Sequence, residues 1–239
     1  GHHSARIRRG RGTREKRRAG DGRLSSEIEL FLTREIVVGD DIAWLQGHDQ
    51  DRLVRLKHES AAAQFATGRR LLRRALSSRG LSYDDVDFST EKPTHPAIHF
   101  NISHVSSLVA VALGGHELGL DVETTERRTD IDLLMPRQFT SEEIQWVLRQ
   151  TDRRRAFFRV WTLKEAYIKL LGTGFRTSTK SFEFNLESGE FFAPLTGETS
   201  CFHYADFEEC CLAVASRVGL SVSVRDSTGL DWTALGRTF

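Results

Sequence analysis

Apolar residues recur at helical spacing in two long segments, residues 59–80 and 153–171. The first ends at Gly80 and the second stops just before another glycine, as helices often do. Between them, Thr140 and Glu143 have the spacing of a capping box, which predicts a shorter helix through Trp146 and Leu148. The pattern therefore predicts three helices in these regions.

Short apolar or alternating runs predict strands in the remaining chain. The first segment, residues 28–45, is interpreted as a strand, a connection and a short helix. The further strands are predicted at residues 98–102, 108–113, 118–123, 182–186, 201–204 and 212–216. Helices and strands are interspersed without a strict strand–helix–strand period, so the predicted fold class is α+β.

Two carboxylates stand out in the strand predicted at 118–123. Side chains alternate between the faces of a strand, so Asp121 and Glu123 share one face while their apolar neighbours enter the core. Carboxylates this close repel each other unless a cation lies between them, and their hard oxygens suit Mg²⁺. The alternative is an acidic, solvent-facing strand.

The predicted helix 153–171 adds charged residues next to an apolar face. Lys164 falls in the middle of the apolar stripe, where a lysine costs stability unless its ammonium meets an anion or reaches water. Glu165 and Lys169 lie one turn apart at the edge of the stripe, where an ordinary ion pair worth roughly a few tenths of a kcal/mol also explains them. Together the three residues would suit a phosphate with its metal.

Charge and composition change this picture little. Residues 1–23 hold nine basic and two acidic residues, and the rest of the chain holds 25 basic and 31 acidic residues. The tail is therefore predicted to be mobile, with nucleic-acid binding as one interpretation and a solvated extension as the other. No apolar run is long enough to cross a bilayer, and the three cysteines form no metal or disulfide pattern.

Four segments together resemble the Sfp-type phosphopantetheinyl transferases in order and spacing. They are Lys92-Pro93, Phe100–His104, Gly119–Glu123 and Trp161–Lys169. The resemblance covers roughly residues 50 to 215 and is specific because the segments occur as a set. It implies two similar α/β subdomains related by a pseudo-twofold axis, residues 24–117 and 118–239, with coenzyme A in the cleft between them.

The resemblance also implies an activity. The expected reaction is Mg²⁺-dependent transfer of 4'-phosphopantetheine from coenzyme A to a serine of an apo acyl or peptidyl carrier protein, releasing adenosine 3',5'-bisphosphate. A cytoplasmic monomer that binds no membrane is expected. The arginine-rich segment Arg69–Arg74 either docks an acidic carrier or forms a solvated helix face.

Residue roles follow from the same resemblance. The implied metal ligands are Asp121, Glu123 and Glu165, and the implied catalytic residues are Glu165 and Lys169. The residues implied to contact coenzyme A are Arg52, Lys92, Asn101, Ser103, His104, Lys164 and Lys169. His104 is the expected partner of the 3'-phosphate, and the base that deprotonates the serine is either Glu165 or a metal-bound water.

Two other functions remain as alternatives at this point. The same carboxylates would serve a metal-dependent phosphohydrolase or nuclease, although that leaves the lysines and residues 100–104 less well explained. A nucleic-acid-binding module working through the basic tail is the second alternative, but the acidic body of the chain makes nucleic acid an unlikely partner.

Overall fold

The computed structural model describes residues 27–36, 44–45, 47–90, 92–194, 200–219, 221–225 and 233–235. The predicted mobile tail, residues 1–23, lies outside the described residues. So does most of the short helix predicted at the end of 28–45.

Two four-stranded sheets form the centre of the molecule. The first has the strand order β2-β3-β1-β9 and the second β10-β7-β8-β4. The first region of the chain forms β1 (Glu27–Thr33), α1 (His48–Arg55), α2 (Glu59–Ser78), β2 (His99–Val105) and β3 (Leu108–Gly114). The second forms β4 (Leu118–Thr124), α3 (Ile131–Gln138), α4 (Ser141–Arg149), α5 (Arg153–Leu171), β5 (Glu183–Asn185), β6 (Glu190–Phe192), β7 (Cys201–Phe207), β8 (Cys210–Ser216), β9 (Ser221–Val224) and β10 (Thr233–Leu235).

The two halves of the chain repeat one topology. In the first, β1 is followed by α2 and by the antiparallel hairpin β2–β3, and β1 pairs with β3. In the second, β4 is followed by α5 and by the hairpin β7–β8, and β4 pairs with β8. The α+β prediction with two similar halves is therefore confirmed. The last part of the chain crosses back, because β9 pairs in parallel with β1.

Alternation along the strands builds a core between the two sheets. Leu30 of β1, Ala110 of β3, Leu120 of β4 and Leu212 of β8 belong to one buried cluster. The opposite faces of the sheets are covered by α2 and α5. At Gly119 the contact with α5 is so close that a Cβ atom would lie 2.0 Å from the carbonyl oxygen of Ala166. Only glycine allows β4 to approach the helix in this way.

The predicted helices are confirmed, including the capping box in which Thr140 and Glu143 exchange hydrogen bonds at the start of α4. The predicted strands are also found, most of them one to three residues longer or shorter than expected. The sequence pattern did not predict α1 and α3, which have only eight residues each; most positions of α1 are polar, and α3 contains a proline. It also missed β9, whose pairing with the distant β1 has no local signal. Among the described helices, none combines the length and apolar character needed to cross a bilayer.

Candidate active site

The candidate site lies where β2 and β4 run side by side. The other edge of β4 pairs with β8, so the β4 amides that face β2 need other acceptors. The N–H of Leu120 donates to Asn101 Oδ1 at 3.0 Å, and the N–H of Val122 donates to Ser103 Oγ at 3.1 Å. Side chains of β2 thus replace a strand partner and join the two halves.

Asp121 is the centre of a small polar cluster at this junction. Lys169 Nζ lies 2.7 Å from Asp121 Oδ1 and donates to Ser103 Oγ at 3.0 Å. Ser103 Oγ donates to the same carboxylate oxygen at 3.1 Å. The other oxygen, Asp121 Oδ2, is buried and has no hydrogen-bond partner among the described residues. A buried carboxylate oxygen without a partner is costly, so this atom is poised to accept a ligand.

Glu123 stands two residues further along β4 and is held from two sides. Trp161 Nε1 donates to Glu123 Oε1 at 3.0 Å, and Arg127 Nη1 contacts Glu123 Oε2 at 3.3 Å. Burial raises the pKa of Glu123, and the nearby charge of Asp121 raises it further. The site therefore concentrates negative charge that a cation would relieve.

Glu165 lies on α5 one turn before Lys169. Burial and then the charge of Asp121 raise the pKa of this carboxyl, which places it in the electrostatic field of the same cluster. Within the described residues, however, no three His, Cys, Asp or Glu side chains are close enough together to hold a metal ion. The structure thus makes Asp121, Glu123 and Glu165 neighbours without gathering them into a coordination shell.

A pocket of about 650 Å³ opens beside this cluster. Its wall comes from β2, β4, the loop after β4 and Lys169 of α5, and it includes Ser103, His104, Asp121, Glu123, Glu126 and Arg127. Burial lowers the pKa of His104, and the nearby ammonium of Lys169 lowers it further. His104 thus lies in the pocket wall near the ammonium of Lys169 and the carboxylate of Asp121.

The structure does not bring Lys164 to the pocket, and its contact with coenzyme A stays a prediction. Its side chain is fully buried, and Nζ lies 2.8 Å from Glu143 Oε1. The ammonium also donates to the carbonyl oxygens of Thr179 and Phe182 at 2.6 and 3.0 Å. The anion that a lysine in an apolar stripe requires is thus a glutamate of α4. Lys164 has no hydrogen left for a ligand and is not part of the pocket wall.

Three other predicted coenzyme A contacts are not brought to the pocket. Lys92 Nζ donates to the carbonyl oxygens of Leu118 and Lys169, so its ammonium joins the start of β4 to the end of α5. Asn101 directs its oxygen to the backbone of β4. Arg52 lies exposed on α1. Direct coenzyme A contacts by Arg52, Lys92 and Asn101 stay predictions.

The arginine-rich segment of α2 is not one uniform face. Arg69 is buried, with Nε 2.8 Å from Asp49 Oδ1, and its guanidinium lies over the rings of Phe65 and Phe88. The guanidinium of the exposed Arg73 lies over the ring of Trp44. Arg69 therefore anchors α1 to α2 and is unavailable for docking a partner.

Sequence reasoning missed the two residues that hold Glu123. Arg127 follows Glu123 by four residues in a loop, where no regular pattern predicts a contact. Trp161 lies in the predicted helix 153–171, and its half-buried indole N–H needs an acceptor. That need was the only signal in the sequence.

Comparisons with known proteins find similarity in the region that contains most of this site. Residues 117–215 match the ACPS family profile, described as the 4'-phosphopantetheinyl transferase superfamily. The matched region begins at the start of β4 and ends within β8, so it contains Asp121, Glu123, Glu165 and Lys169.

Three curated relatives show how far the similarity extends. The chain is 40% identical over 88 residues to "4'-phosphopantetheinyl transferase gsp" of Aneurinibacillus migulanus, covering 36% of each chain. It is 26% identical over 205 residues to a 4'-phosphopantetheinyl transferase of Bacillus subtilis, covering 78% of this chain and 90% of the relative. It is 36% identical over 120 residues to "4'-phosphopantetheinyl transferase psf-1" of Bacillus pumilus, covering 46% of this chain and 50% of the relative.

The matches to the first and third relatives thus span about a third and half of those proteins, whereas the match to the second spans nearly all of it. The profile matches the second half of the chain, and one relative matches most of its length. The chain is thus similar to the 4'-phosphopantetheinyl transferase superfamily.

Proposed function

We propose that this protein transfers the 4'-phosphopantetheine group of coenzyme A to a serine of an apo acyl or peptidyl carrier protein. The observation that carries the proposal is the buried, half-satisfied carboxylate of Asp121, which is bracketed by Lys169 and Ser103 in the wall of an open pocket. An anionic diphosphate would find there both a cation, Lys169, and carboxylates able to share a metal with it. The relatives named above carry the same activity in their names.

A magnesium ion fits the donor groups at this site. The three carboxylates Asp121, Glu123 and Glu165 offer only hard oxygen ligands, and Asp121 Oδ2 has no partner among the described residues. Burial, and after it the charge of Asp121, raise the pKa of Glu123 and of Glu165, so a cation would relieve the cost of keeping them charged. These three residues would hold the ion, which supplies Lewis-acid neutralisation of the diphosphate charge.

The chain's own groups would then position the reactants. In the proposed step, the serine oxygen of the carrier forms a bond to the phosphorus next to pantetheine, and the bond to the leaving adenosine 3',5'-bisphosphate breaks. The ammonium of Lys169 would stabilise charge on the phosphate oxygens from within the pocket. His104, in the pocket wall, would donate a hydrogen bond to the nucleotide part of coenzyme A.

The serine proton needs an acceptor in the same step. Glu165 is suited to this role because burial raises its pKa, which makes it a stronger base than an ordinary glutamate. A metal-bound water is the other candidate. Substitution of Glu165 by glutamine removes the base and one proposed ligand together while keeping the size of the side chain, so it tests the combined contribution of Glu165.

The transfer assay tests the proposal directly. The protein would be incubated with coenzyme A, Mg²⁺ and a panel of apo acyl and peptidyl carrier domains, and intact-protein mass spectrometry would follow the carriers. We expect one phosphopantetheine group on at least one carrier and none on the same carrier with its acceptor serine changed to alanine. Release of phosphate from coenzyme A with no carrier modified would instead favour the phosphohydrolase, which the comparisons do not support.

The oligomeric state belongs to the same proposal. The pocket wall combines residues of β2 from the first half with residues of β4 from the second, so one copy would suffice to form it. We propose a monomer, to be measured by light scattering after size-exclusion chromatography. The cytoplasmic location stays a prediction.

A further inference from the structure

Arg154, near the start of α5, binds a loop and not a carboxylate. Its Nη1 donates to the carbonyl oxygen of Thr129 at 3.2 Å, and Nε and Nη2 donate to the carbonyl oxygens of Thr125 and Arg127. Its guanidinium also lies over the ring of Phe158, 5.4 Å from the centroid. Among the described residues it forms no ion pair. Each of the three nitrogens of this half-buried guanidinium thus donates to one main-chain carbonyl of residues 125–129.

The loop held in this way is part of the pocket. It follows β4 directly and supplies Glu126 and Arg127 to the pocket wall. The loop is further fixed by the N–H of Thr125, which donates to the carbonyl oxygen of Glu209 at 2.8 Å. Beyond Thr125 the loop has its own backbone hydrogen bonds, from the N–H of Arg127 to the carbonyl of Thr124 and from the N–H of Thr129 to the carbonyl of Arg127. Arg154 adds side-chain contacts to the carbonyls of Arg127 and Thr129, which tie this part of the loop to α5.

The side chain of Arg127 connects the loop to the carboxylates. It pairs with Glu123, which Trp161 of α5 holds from the other side. Residues 154, 161, 165 and 169 follow one another at intervals that keep them near one stripe of α5. Arg154 therefore belongs to the same stripe that carries Trp161, Glu165 and Lys169.

We propose that Arg154 is a positioning residue: by binding the carbonyls of residues 125–129 it keeps Arg127 against Glu123 and so sets the orientation of that carboxylate in the pocket. The inference rests on the proposed function, because it assigns to Arg154 an effect on the transfer reaction. It follows that loss of Arg154 acts through Arg127, and that the two residues are energetically coupled.

A double-mutant cycle tests this coupling. Arg154→Met keeps a long apolar side chain but removes the guanidinium that binds the three carbonyls. Arg127→Met removes the contact to Glu123. We expect each single variant to lower kcat/KM for transfer by about tenfold, and the double variant to fall by about tenfold as well, because both changes break one chain of contacts. Arg154→Lys reaches fewer carbonyls and should lie between Arg154→Met and the wild type.

Arg155→Met is the matched control. Arg155 is the next residue of α5 and contacts Asp152, Asp206 and the carbonyl oxygen of Glu208, away from the pocket wall. It should leave kcat/KM near the wild-type value. A double variant that falls by about a hundredfold, the product of the single effects, would overturn the proposal, and so would equal losses for Arg154→Met and Arg155→Met.

Amide hydrogen exchange distinguishes failure of this proposal from failure of the proposed function. Even a protein without transfer activity should show faster exchange at residues 125–129 in Arg154→Met than in Arg155→Met, because only the first loses the carbonyl contacts. Equal exchange in the two variants would contradict the role of Arg154 whatever the activity. If Arg154→Met does not fold, the same comparison is made with Arg154→Lys.

Discussion

The two halves of the protein share a topology but differ in chemistry. In β1, Ile28 pairs with Gly114 of β3, and in β4, Leu118 pairs with Ser216 of β8. Both hairpins close with two-residue turns, from Val105 to Leu108 and from Phe207 to Cys210. The register of the first half therefore maps onto that of the second, residue by residue.

This mapping shows where the halves diverge. Phe31 of β1 is opposite Val111 and corresponds to Asp121 of β4, which is opposite Ala213. Phe31 is buried against the α2 side of its sheet, whereas Asp121 binds Lys169 of α5 and Ser103 of the other half. By the same mapping, Thr33 corresponds to Glu123.

The two halves thus repeat the same fold, but the polar cluster at Asp121 has no counterpart at Phe31. In the part of the chain that the structure describes, the polar cluster forms at the junction where side chains of β2 accept hydrogen bonds from the backbone of β4. Ser103 of β2 corresponds to Ala205 of β7, which offers no hydroxyl at the related position of the second hairpin. Each half supplies what the other lacks, so the site needs both.

The largest effect is expected at the position where the halves differ most. Asp121→Asn removes the negative charge but keeps the shape, and should lower transfer by about a thousandfold or more because charge at the reacting group is lost. The matched variant Phe31→Leu, at the corresponding position of β1, should cost about 1 kcal/mol of stability and leave kcat/KM of the folded protein unchanged. Intact-mass transfer assays and urea unfolding measure the two results, and near-normal transfer by Asp121→Asn would refute the site.

A substitution of Lys164 tests whether this lysine serves the buried ion pair with Glu143 or a contact with coenzyme A. Lys164→Met leaves the buried carboxylate of Glu143 without its cation and should lower the free energy of unfolding by about 3–5 kcal/mol. The second change Glu143→Gln should recover part of this loss. Urea unfolding measures stability, and initial rates measure KM for coenzyme A. A stable Lys164→Met protein with a selectively raised KM would instead return Lys164 to the coenzyme A site.

A substitution of Ser103 tests the junction between β2 and β4. Ser103→Ala removes hydrogen bonds to Asp121, Lys169 and the amide of Val122 and should lower kcat/KM by about tenfold. The reverse change at the corresponding position, Ala205→Ser, should not affect transfer, because no carboxylate corresponds to Asp121 in β1. If Ala205→Ser altered kcat/KM as strongly as Ser103→Ala, the comparison of the two junctions would fail.

The smallest effect is a dependence of stability on pH. Burial and the charge of Asp121 raise the pKa of Glu165 above its usual 4.5, so the folded state binds this proton more readily than the unfolded state. Without divalent metal, the stability of the protein should therefore rise as the pH falls from the raised value towards 4.5. Thermal unfolding in the presence of a chelator measures this trend, and Glu165→Gln should reduce it. An equal trend in Glu165→Gln would assign it to other groups.

Local patterns were sufficient to predict much of the fold. Alternation along 118–123 placed Leu120 in the core and Asp121 on the opposite face, and the structure agrees. The capping box at Thr140 likewise identified the start of α4. These features depend on neighbours within a few residues, which the sequence shows directly.

Contacts between distant segments were harder to predict. An ammonium in an apolar stripe signals that an anion is near, but it does not say whether that anion is a ligand or Glu143, 21 positions earlier in the chain. Glu123 is bound by Trp161 of α5 and by Arg127 of the loop after β4. The first contact depends on how α5 packs on β4, and the second on the path of the loop. Such partners are set by tertiary packing, for which periodicity carries no information.

A crystal structure with coenzyme A and Mn²⁺ tests the central claim most directly, since the anomalous signal of manganese locates the metal. We expect one ion bound to Asp121 Oδ2, with the carboxylates of Glu123 and Glu165 also bound to it and the diphosphate in contact with Lys169. A metal and diphosphate bound elsewhere, with Asp121 still paired only to Lys169 and Ser103, would contradict it.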